Sequence, residues 1–170
     1  WQAQQYNHCK ARLPKGHAAI SMDFSAHLQH NHQDLTQQEF FNLFLTSLLT
    51  IVWSLTDFRE EGNLGNGRVW THSMTVCSED QSQDNEFVQN AVEMLVKDPL
   101  IPLACEYGQT LEVLHIWSDD CGSQFKNRWR MWCVSQSLAR MGISVVHNFF
   151  ASCHGKSFSD GVGAVVKSAA

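Results

Sequence analysis

Residues 111–119 read Leu-Glu-Val-Leu-His-Ile-Trp-Ser-Asp, a nearly continuous apolar run that ends in an aspartate. A short run of this kind is typical of a central strand that is covered on both faces of a sheet. The stretch therefore predicts an α/β fold with Asp119 at the tip of a buried strand. A carboxylate at such a tip is partly desolvated, which is costly unless the charge is compensated.

Four further strands and three helices are predicted on either side of this run. The strands are expected over residues 18–24, 40–55, 68–78 and 143–151, and a helix is the alternative for 40–55. The glycine-rich connection over 57–67 suggests that the second and third strands form an antiparallel hairpin. The helices are expected from Ser82 or Asp84 to Lys97, ended by Pro99 and Pro102, then over 123–141 with Gly142 as the C′ residue, and over 161–170.

The order of these elements is strand, strand, strand, helix, strand, helix, strand, helix. This is the order of the ribonuclease H fold, a five-stranded mixed sheet (β1β2β3αβ4αβ5α) flanked by helices. In that topology the first and fourth strands are neighbours at the centre of the sheet, and the later strands pair in parallel. Residues 1–17 are polar and are interpreted as an irregular N-terminal extension or the tail of an upstream segment, which leaves 18–170 as one ribonuclease H-like domain.

The composition is that of a globular domain with an acidic balance. The chain has 170 residues, 44% of them hydrophobic, and a net charge of −5, which argues against a surface that grips nucleic acid everywhere. One local basic patch, Lys126, Arg128 and Arg130, is interleaved with Trp129 and Trp132. Taken alone, the segment is interpreted as a helix with one solvated charged face, in which the two tryptophans share a face and pack into the core; stacking of the tryptophans on bases is the alternative.

The apolar segments and the cysteines indicate the cellular compartment in which the protein is expected. No apolar segment is long enough to span a bilayer, so no membrane association is expected. The six cysteines are scattered without a CxxC pair, which favours a reduced, intracellular chain over a secreted disulfide framework. The sequence opens at Trp1 and is interpreted as a piece of something longer.

Three aspartates fall at the ends of predicted elements: Asp23 in the first strand, Asp119 after the fourth and Asp160 at the start of the last helix. Adjacent strand tips would bring them together, and two Mg²⁺ or Mn²⁺ ions would offset their mutual repulsion. Asp120 is a further candidate ligand, but neighbouring strand residues point to opposite faces, so Asp119 is preferred. For each aspartate taken alone, a helix cap or a turn is the competing explanation.

Two longer motifs resemble a transposon-derived family that occurs in many uncharacterised animal proteins. Residues 116–128, Ile-Trp-Ser-Asp-Asp-Cys-Gly-Ser-Gln-Phe-Lys-Asn-Arg, are similar to its SDG-x-x-SQ-Y/F-KN segment. Residues 148–163, Asn-Phe-Phe-Ala-Ser-Cys-His-Gly-Lys-Ser-Phe-Ser-Asp-Gly-Val-Gly, resemble its FFATSHGKG-x-x-DG-x-GG signature. Residues 22–24 resemble its opening DF strand, and 78–84 its SDD-x-x-HD turn.

The resemblance extends over about 18–170 and implies a ribonuclease H-like transposase or integrase of the DDE/DDD type. It implies metal-dependent DNA cleavage and strand transfer in the nucleus, with Asp23, Asp119 and Asp160 as catalytic and metal-binding residues. The residues expected to contact DNA are Lys126, Arg128, Arg130, Gln124, His154 and Lys156. The partner would be DNA. Whether the chain forms a homo-oligomer, and whether a DNA-binding domain flanks it outside this sequence, stays open.

Three departures from the family pattern leave room for other functions. Asp120, Ser157 and Ala164 each stand where the family motif has glycine. A domesticated, inactive domain that binds nucleic acid or protein is therefore the alternative, and a structure-specific nuclease or exonuclease of the same fold is a third.

The histidines near the N-terminus allow a zinc hypothesis. His27, His30 and His32, with His8 and Cys9, do not have the spacing of a standard structural zinc site, so solvated histidines are the preferred interpretation.

Overall fold

The computed structural model describes residues 2–29, 45–59, 67–79, 82–121, 125–150 and 158–169. Five strands are present in this part of the chain: β1 His17–Gln29, β2 Leu45–Asp57, β3 Arg68–Ser78, β4 Val113–Ser118 and β5 Ser144–Phe149. The helices are α1 Gln2–Ala11, α2 Asn85–Leu95, α3 Ile101–Glu106, α4 Arg128–Ala139 and α5 Phe158–Ala169, with a π-helical turn, Val96–Leu100, between α2 and α3.

The strands form one mixed sheet in the order β3-β2-β1-β4-β5. Strands β1, β2 and β3 pair antiparallel, whereas β4 pairs parallel with both β1 and β5. The expected α/β fold with a mixed sheet is confirmed, as are the hairpin of the second and third strands and the contact of the first with the fourth. Segment 40–55, for which helix and strand were both open, contributes strand β2 from Leu45 onward.

The two sides of the sheet are covered by different helices. On the main-core side, alternate β1 residues such as Ile20 and Met22 pack with buried side chains of α2 and α4, including Val92 and Leu138. On the opposite side, called the α1 side here, Ala19 forms a smaller buried cluster whose other members are Tyr6, Leu13, Trp117 and Phe150. Strand alternation therefore assigns odd-numbered residues of β1 to the α1 side.

Helix α5 lies against β1, β2 and β3. The β2 side chains that alternate with main-core residues are themselves buried; they are Leu48, Thr50, Val52 and Ser54. Because α2 and α4 occupy the main-core side, we infer that α5 covers these residues from the α1 side. That side therefore carries α1 near β4 and β5, and α5 across β1 to β3.

The helical segment after β3 is longer than expected. Asp84 is its N-cap, as predicted, and its Oδ1 accepts hydrogen bonds from the N–H groups of Glu86 and Phe87, both at 3.0 Å. The prediction that Pro99 and Pro102 end the helix is wrong. Pro99 lies in the π-helical turn, in which Ile101 N–H bonds to the Val96 carbonyl, and Pro102 lies in the first turn of α3, where no N–H partner is needed.

The next helix begins later than predicted and ends as expected. It was expected from residue 123, but α4 begins at Arg128. Just before it, the N–H groups of Phe125 and Lys126 both donate hydrogen bonds to the Cys121 carbonyl, which forms a turn. Gly142 is the C′ residue with φ of 77°, and the Ile143 N–H bonds to the Leu138 carbonyl, as in a Schellman motif.

The N-terminal segment was expected to be irregular, and this is wrong for the described residues. Gln2–Ala11 is a helix, and Tyr6 and Leu13 are buried. The edge-to-face contacts of Tyr6 with Trp117 and Phe150, with ring centroids 5.6 Å and 6.0 Å apart, hold α1 on the sheet. The boundary at residue 17 between an extension and the domain stays a prediction.

Among the described residues, none of the helices combines the length and the apolar character that a membrane crossing requires.

Candidate acidic site in the middle of β1 and at the end of β4

Two of the three predicted aspartates lie just beyond the paired part of β1 and β4. The last pair of the β1–β4 register is Ser21 with Trp117. If this register is extended by two residues, Asp23 is level with Asp119, which directly follows the end of β4. The expectation that Asp23 lies at a strand tip is wrong, because β1 continues to Gln29 in its antiparallel pairing with β2. Met22 and Phe24 pack on the main-core side, so Asp23 between them belongs to the α1 side, as Trp117 does and as alternation expects for Asp119.

Asp119 is in a partly desolvated position. Burial raises the pKa of its carboxyl above the ordinary value, and the neighbouring charge of Asp120 acts in the same direction. The Cys121 N–H donates a hydrogen bond to Oδ1 at 3.1 Å, which opposes this rise of the pKa and fixes the orientation of the carboxylate. An ionised Asp119 is therefore held at an energetic cost that a bound cation would relieve.

Asp120, the other candidate ligand, has a different environment. Its Oδ1 forms an ion pair with Lys126 Nζ at 2.6 Å. The same ammonium lies 5.4 Å from the centroid of the Phe149 ring, and Phe149 packs against the main core. Asp120 therefore already has a cationic partner, and Asp119 has a backbone N–H partner instead.

The third aspartate, Asp160, lies in the first turn of α5, and its side chain is outside the described part of the structure. Since α5 crosses the α1 side, its first turn belongs to the same side of the sheet as Asp23 and Asp119. Within the described side chains, no three His, Cys, Asp or Glu residues are grouped in a way that could hold a metal ion. The two described carboxylates are oxygen donors of the type that Mg²⁺ and Mn²⁺ prefer.

The predicted DNA-contacting residues are only partly described. Lys126 and Arg128 are exposed, and Arg130 lies on α4. Gln124, His154 and Lys156 lie outside the described residues, as does Ser157. The Asp120 ion pair and the Phe149 contact put Lys126 toward the main-core side, and so away from Asp23.

The core role expected for the α4 tryptophans is wrong. Trp129 and Trp132 are 69% and 54% exposed, and they stack on each other with ring centroids 5.2 Å apart. They do share a helix face, as their spacing predicts, but that face points to solvent. The pattern alone could not distinguish these cases, because an exposed and a buried aromatic pair have the same spacing.

The candidate zinc residues are separated from each other. His27 lies on β1, where its Nδ1 is 3.3 Å from Ser47 Oγ, whereas His8 and Cys9 lie on α1. His30 and His32 lie outside the described residues.

A histidine pair that the sequence did not indicate lies at the start of β1 and on β4. His17 Nδ1 and His115 Nε2 are 3.0 Å apart, and burial and the neighbouring His17 lower the pKa of His115.

Comparison with known proteins assigns the chain to a family. Comparison with curated proteins produced no match. Residues 2–170 match the family described as Domain of unknown function (DUF8701), so that α1 as well as the sheet falls within the matched region. The chain therefore belongs to this family of domains of unknown function.

Proposed function

We propose that this domain is a metal-dependent DNA-cleaving and strand-transferring unit of the ribonuclease H-like, DDE/DDD transposase type. The observation that carries the proposal is the β1–β4 register, by which Asp23 and Asp119 come level on the same side of the sheet. Two supports are independent of that register. The strand order β3-β2-β1-β4-β5, with β1 to β3 antiparallel and β4 and β5 parallel, is compatible with that fold, and the motifs around Asp119 and Asp160 resemble the transposon-derived family.

The residues present fit a site for hard divalent cations. Asp23 and Asp119 would hold the ions from the sheet, and Asp160 from the first turn of α5. Bound Mg²⁺ or Mn²⁺ supplies activation of a water or 3′-hydroxyl nucleophile and stabilisation of the leaving oxygen. The Cys121 N–H keeps the Asp119 carboxylate in one orientation, so that less side-chain freedom is lost when a ligand binds.

Nicking of supercoiled plasmid DNA in the presence of Mn²⁺ tests the proposal. We expect Asp119→Asn to lower the rate by about 100-fold or more, because even residues that only support a metal ligand contribute 10–100-fold. Asp120→Asn is the matched control: it removes the same charge one residue away and should leave most of the nicking activity. Equal rates for the wild type and Asp119→Asn would refute the assignment.

Two further measurements separate the alternatives. Transfer of a labelled DNA end into a target would distinguish a strand transferase from a nuclease that only cuts. Mn²⁺ should raise the melting temperature of the wild type and not of Asp119→Asn, since a ligand stabilises only the state that binds it. A wild type that neither nicks DNA nor gains stability from Mn²⁺ would support the inactive, domesticated domain instead.

A further inference from the structure

The first 16 residues differ in charge from the remainder of the chain. They contain Lys10, Arg12 and Lys15 and no acidic residue. The whole chain has 12 Lys and Arg against 17 Asp and Glu, so residues 17–170 hold nine against 17 and carry a net charge of −8. A segment of charge +3 is thus attached to an acidic domain, which gives the molecule one side that attracts anions.

This positive segment is folded onto the domain. Tyr6 is buried against Trp117 and Phe150, Leu13 is buried in the same cluster, and Cys9 packs on its edge. The Thr56 hydroxyl donates a hydrogen bond to the Leu13 carbonyl at 3.1 Å, which attaches the end of the segment to β2. The positions of the α1 side chains relative to the sheet are therefore set by packing.

A groove runs between α1 and the ends of β4 and β5. It has a volume of about 500 Å³, and its described lining is formed by Gln5, His8, Cys9, Arg12, Trp117 and Asn148. Gln5, His8 and Arg12 follow each other at intervals of about one helical turn, so they share a face and line one wall of the groove. Trp117 and Asn148 pair across β4 and β5 and form the floor. Among these described lining residues none is acidic, and the amide, imidazole and guanidinium groups can all donate hydrogen bonds to an anion.

The groove lies on the same side of the sheet as the acidic site. Trp117 is two residues before Asp119 in the strand and level with Ser21, which is two residues before Asp23. Lys126, which the sequence singles out, is less well oriented for this site, since it is paired with Asp120 and packs toward the main-core side.

We propose that the α1 groove binds the sugar–phosphate backbone of a DNA strand and leads that strand to Asp23 and Asp119. The part of this proposal that leads the strand to a cleavage site rests on the proposed function, whereas the binding of the strand rests on the groove alone. Arg12 and His8 contact phosphate oxygens, and Gln5 and Asn148 donate hydrogen bonds to phosphate or sugar. Such contacts position a strand without reading its sequence.

Fluorescence anisotropy of a labelled oligo(dT) strand in EDTA tests binding without any cleavage. We expect Arg12→Glu to weaken binding by about 10-fold and to reduce the salt dependence of the affinity by about one phosphate contact. Arg140→Glu makes the same charge change at an exposed position beyond the end of α4 and should alter binding by less than about 2-fold. Gln5→Glu, which puts a carboxylate on the groove wall, should also weaken binding.

The outcomes separate this proposal from the catalytic one. Asp119→Asn should bind oligo(dT) as well as the wild type does and fail to nick, so a loss of nicking alone leaves the groove intact. Equal weakening by Arg12→Glu and Arg140→Glu would mean a diffuse charge effect and would overturn the groove, as would a wild type that does not bind the strand. Thermal melting of each variant checks that Arg12→Glu, at an exposed position, keeps the fold.

Discussion

At the scale of single residues, Asp119 and Asp120 show how the fold distinguishes adjacent identical side chains. Both follow β4, yet one is partly buried with a backbone hydrogen bond at 3.1 Å and the other is paired with Lys126 at 2.6 Å. Strand alternation favours Asp119 over Asp120 as a metal ligand, and this choice stays a prediction. The raised pKa of Asp119 means that its ionised carboxylate lowers the stability of the folded protein. Groups with such shifted pKa values are common at functional sites.

We expect Asp119→Asn to stabilise the protein at neutral pH by on the order of 1 kcal/mol, or about 2–4 °C in melting temperature. The physical reason is that burial penalises the ionised carboxylate and not the neutral amide. A carboxyl whose folded-state pKa is raised contributes stability below the unfolded value of 3.8, and that stability is lost as pH rises through the folded-state pKa.

The advantage of Asp119→Asn should therefore be largest at neutral pH and shrink as pH falls toward 3.8. Thermal melts of both proteins across this pH range, without divalent cations, provide the measurement. A variant less stable than the wild type at pH 7 would contradict the assigned burial penalty.

At the scale of elements, one buried side-chain amide connects the start of one strand to the end of another. Gln109 lies between α3 and β4; its Oε1 accepts from the Gly16 N–H at 2.8 Å, and its Nε2 donates to the Thr56 carbonyl. It therefore connects the start of β1 to the end of β2. Sequence reasoning assigned Gln109 no role, because a polar residue in a predicted connection is ordinarily solvated.

We expect Gln109→Leu to lower the free energy of unfolding by about 2–4 kcal/mol, since it leaves a buried N–H and a buried carbonyl without their partner. Urea unfolding measures this loss. Gln136→Leu, the same exchange at an exposed position on α4, should change stability by less than about 0.5 kcal/mol. Equal effects of the two variants would show that the Gln109 bridge contributes little.

At the scale of the whole molecule, the sheet separates two environments. The main-core side buries most of the apolar residues under α2 and α4, whereas the α1 side carries a small aromatic cluster and the positively charged N-terminal segment 1–16. The negative charge of the chain as a whole argued against extensive contact with nucleic acid. Its uneven distribution permits such contact on one side.

Deletion of residues 1–16 tests whether α1 belongs to the domain. We expect a loss of about 2–4 kcal/mol in unfolding free energy, because Trp117 and Phe150 lose the cover of Tyr6 and become exposed. Urea unfolding followed by tryptophan emission, which should shift to the red in the native state, measures both effects. Gln4→Ala, at an exposed position of α1, is the neutral control. A deletion variant with the unfolding free energy of the wild type would mean that residues 1–16 are a dispensable extension.

The sequence by itself determined the order of the strands, the strand type of all but the second, and the C′ residue Gly142, and it narrowed the N-cap of α2 to Ser82 or Asp84. Each of these depends on local periodicity or on the backbone preference of one residue. The positions of Pro99 and Pro102 inside a helical segment could not be predicted in that way, because a π-helical turn accommodates Pro99 and the first turn of α3 accommodates Pro102.

Tertiary structure alone decided which side each residue faces and what it meets there. The exposure of Trp129 and Trp132, the burial of Tyr6 and the pairing of Asp120 with Lys126 follow from contacts between segments that are distant in sequence or turned by a loop. The placement of Asp23 near Asp119 depends on a β1–β4 register that pairs residues 96 positions apart in the sequence, such as Ser21 and Trp117. Local patterns specify periodicity, but burial and charge pairing are properties of the surfaces that meet only after the chain has folded.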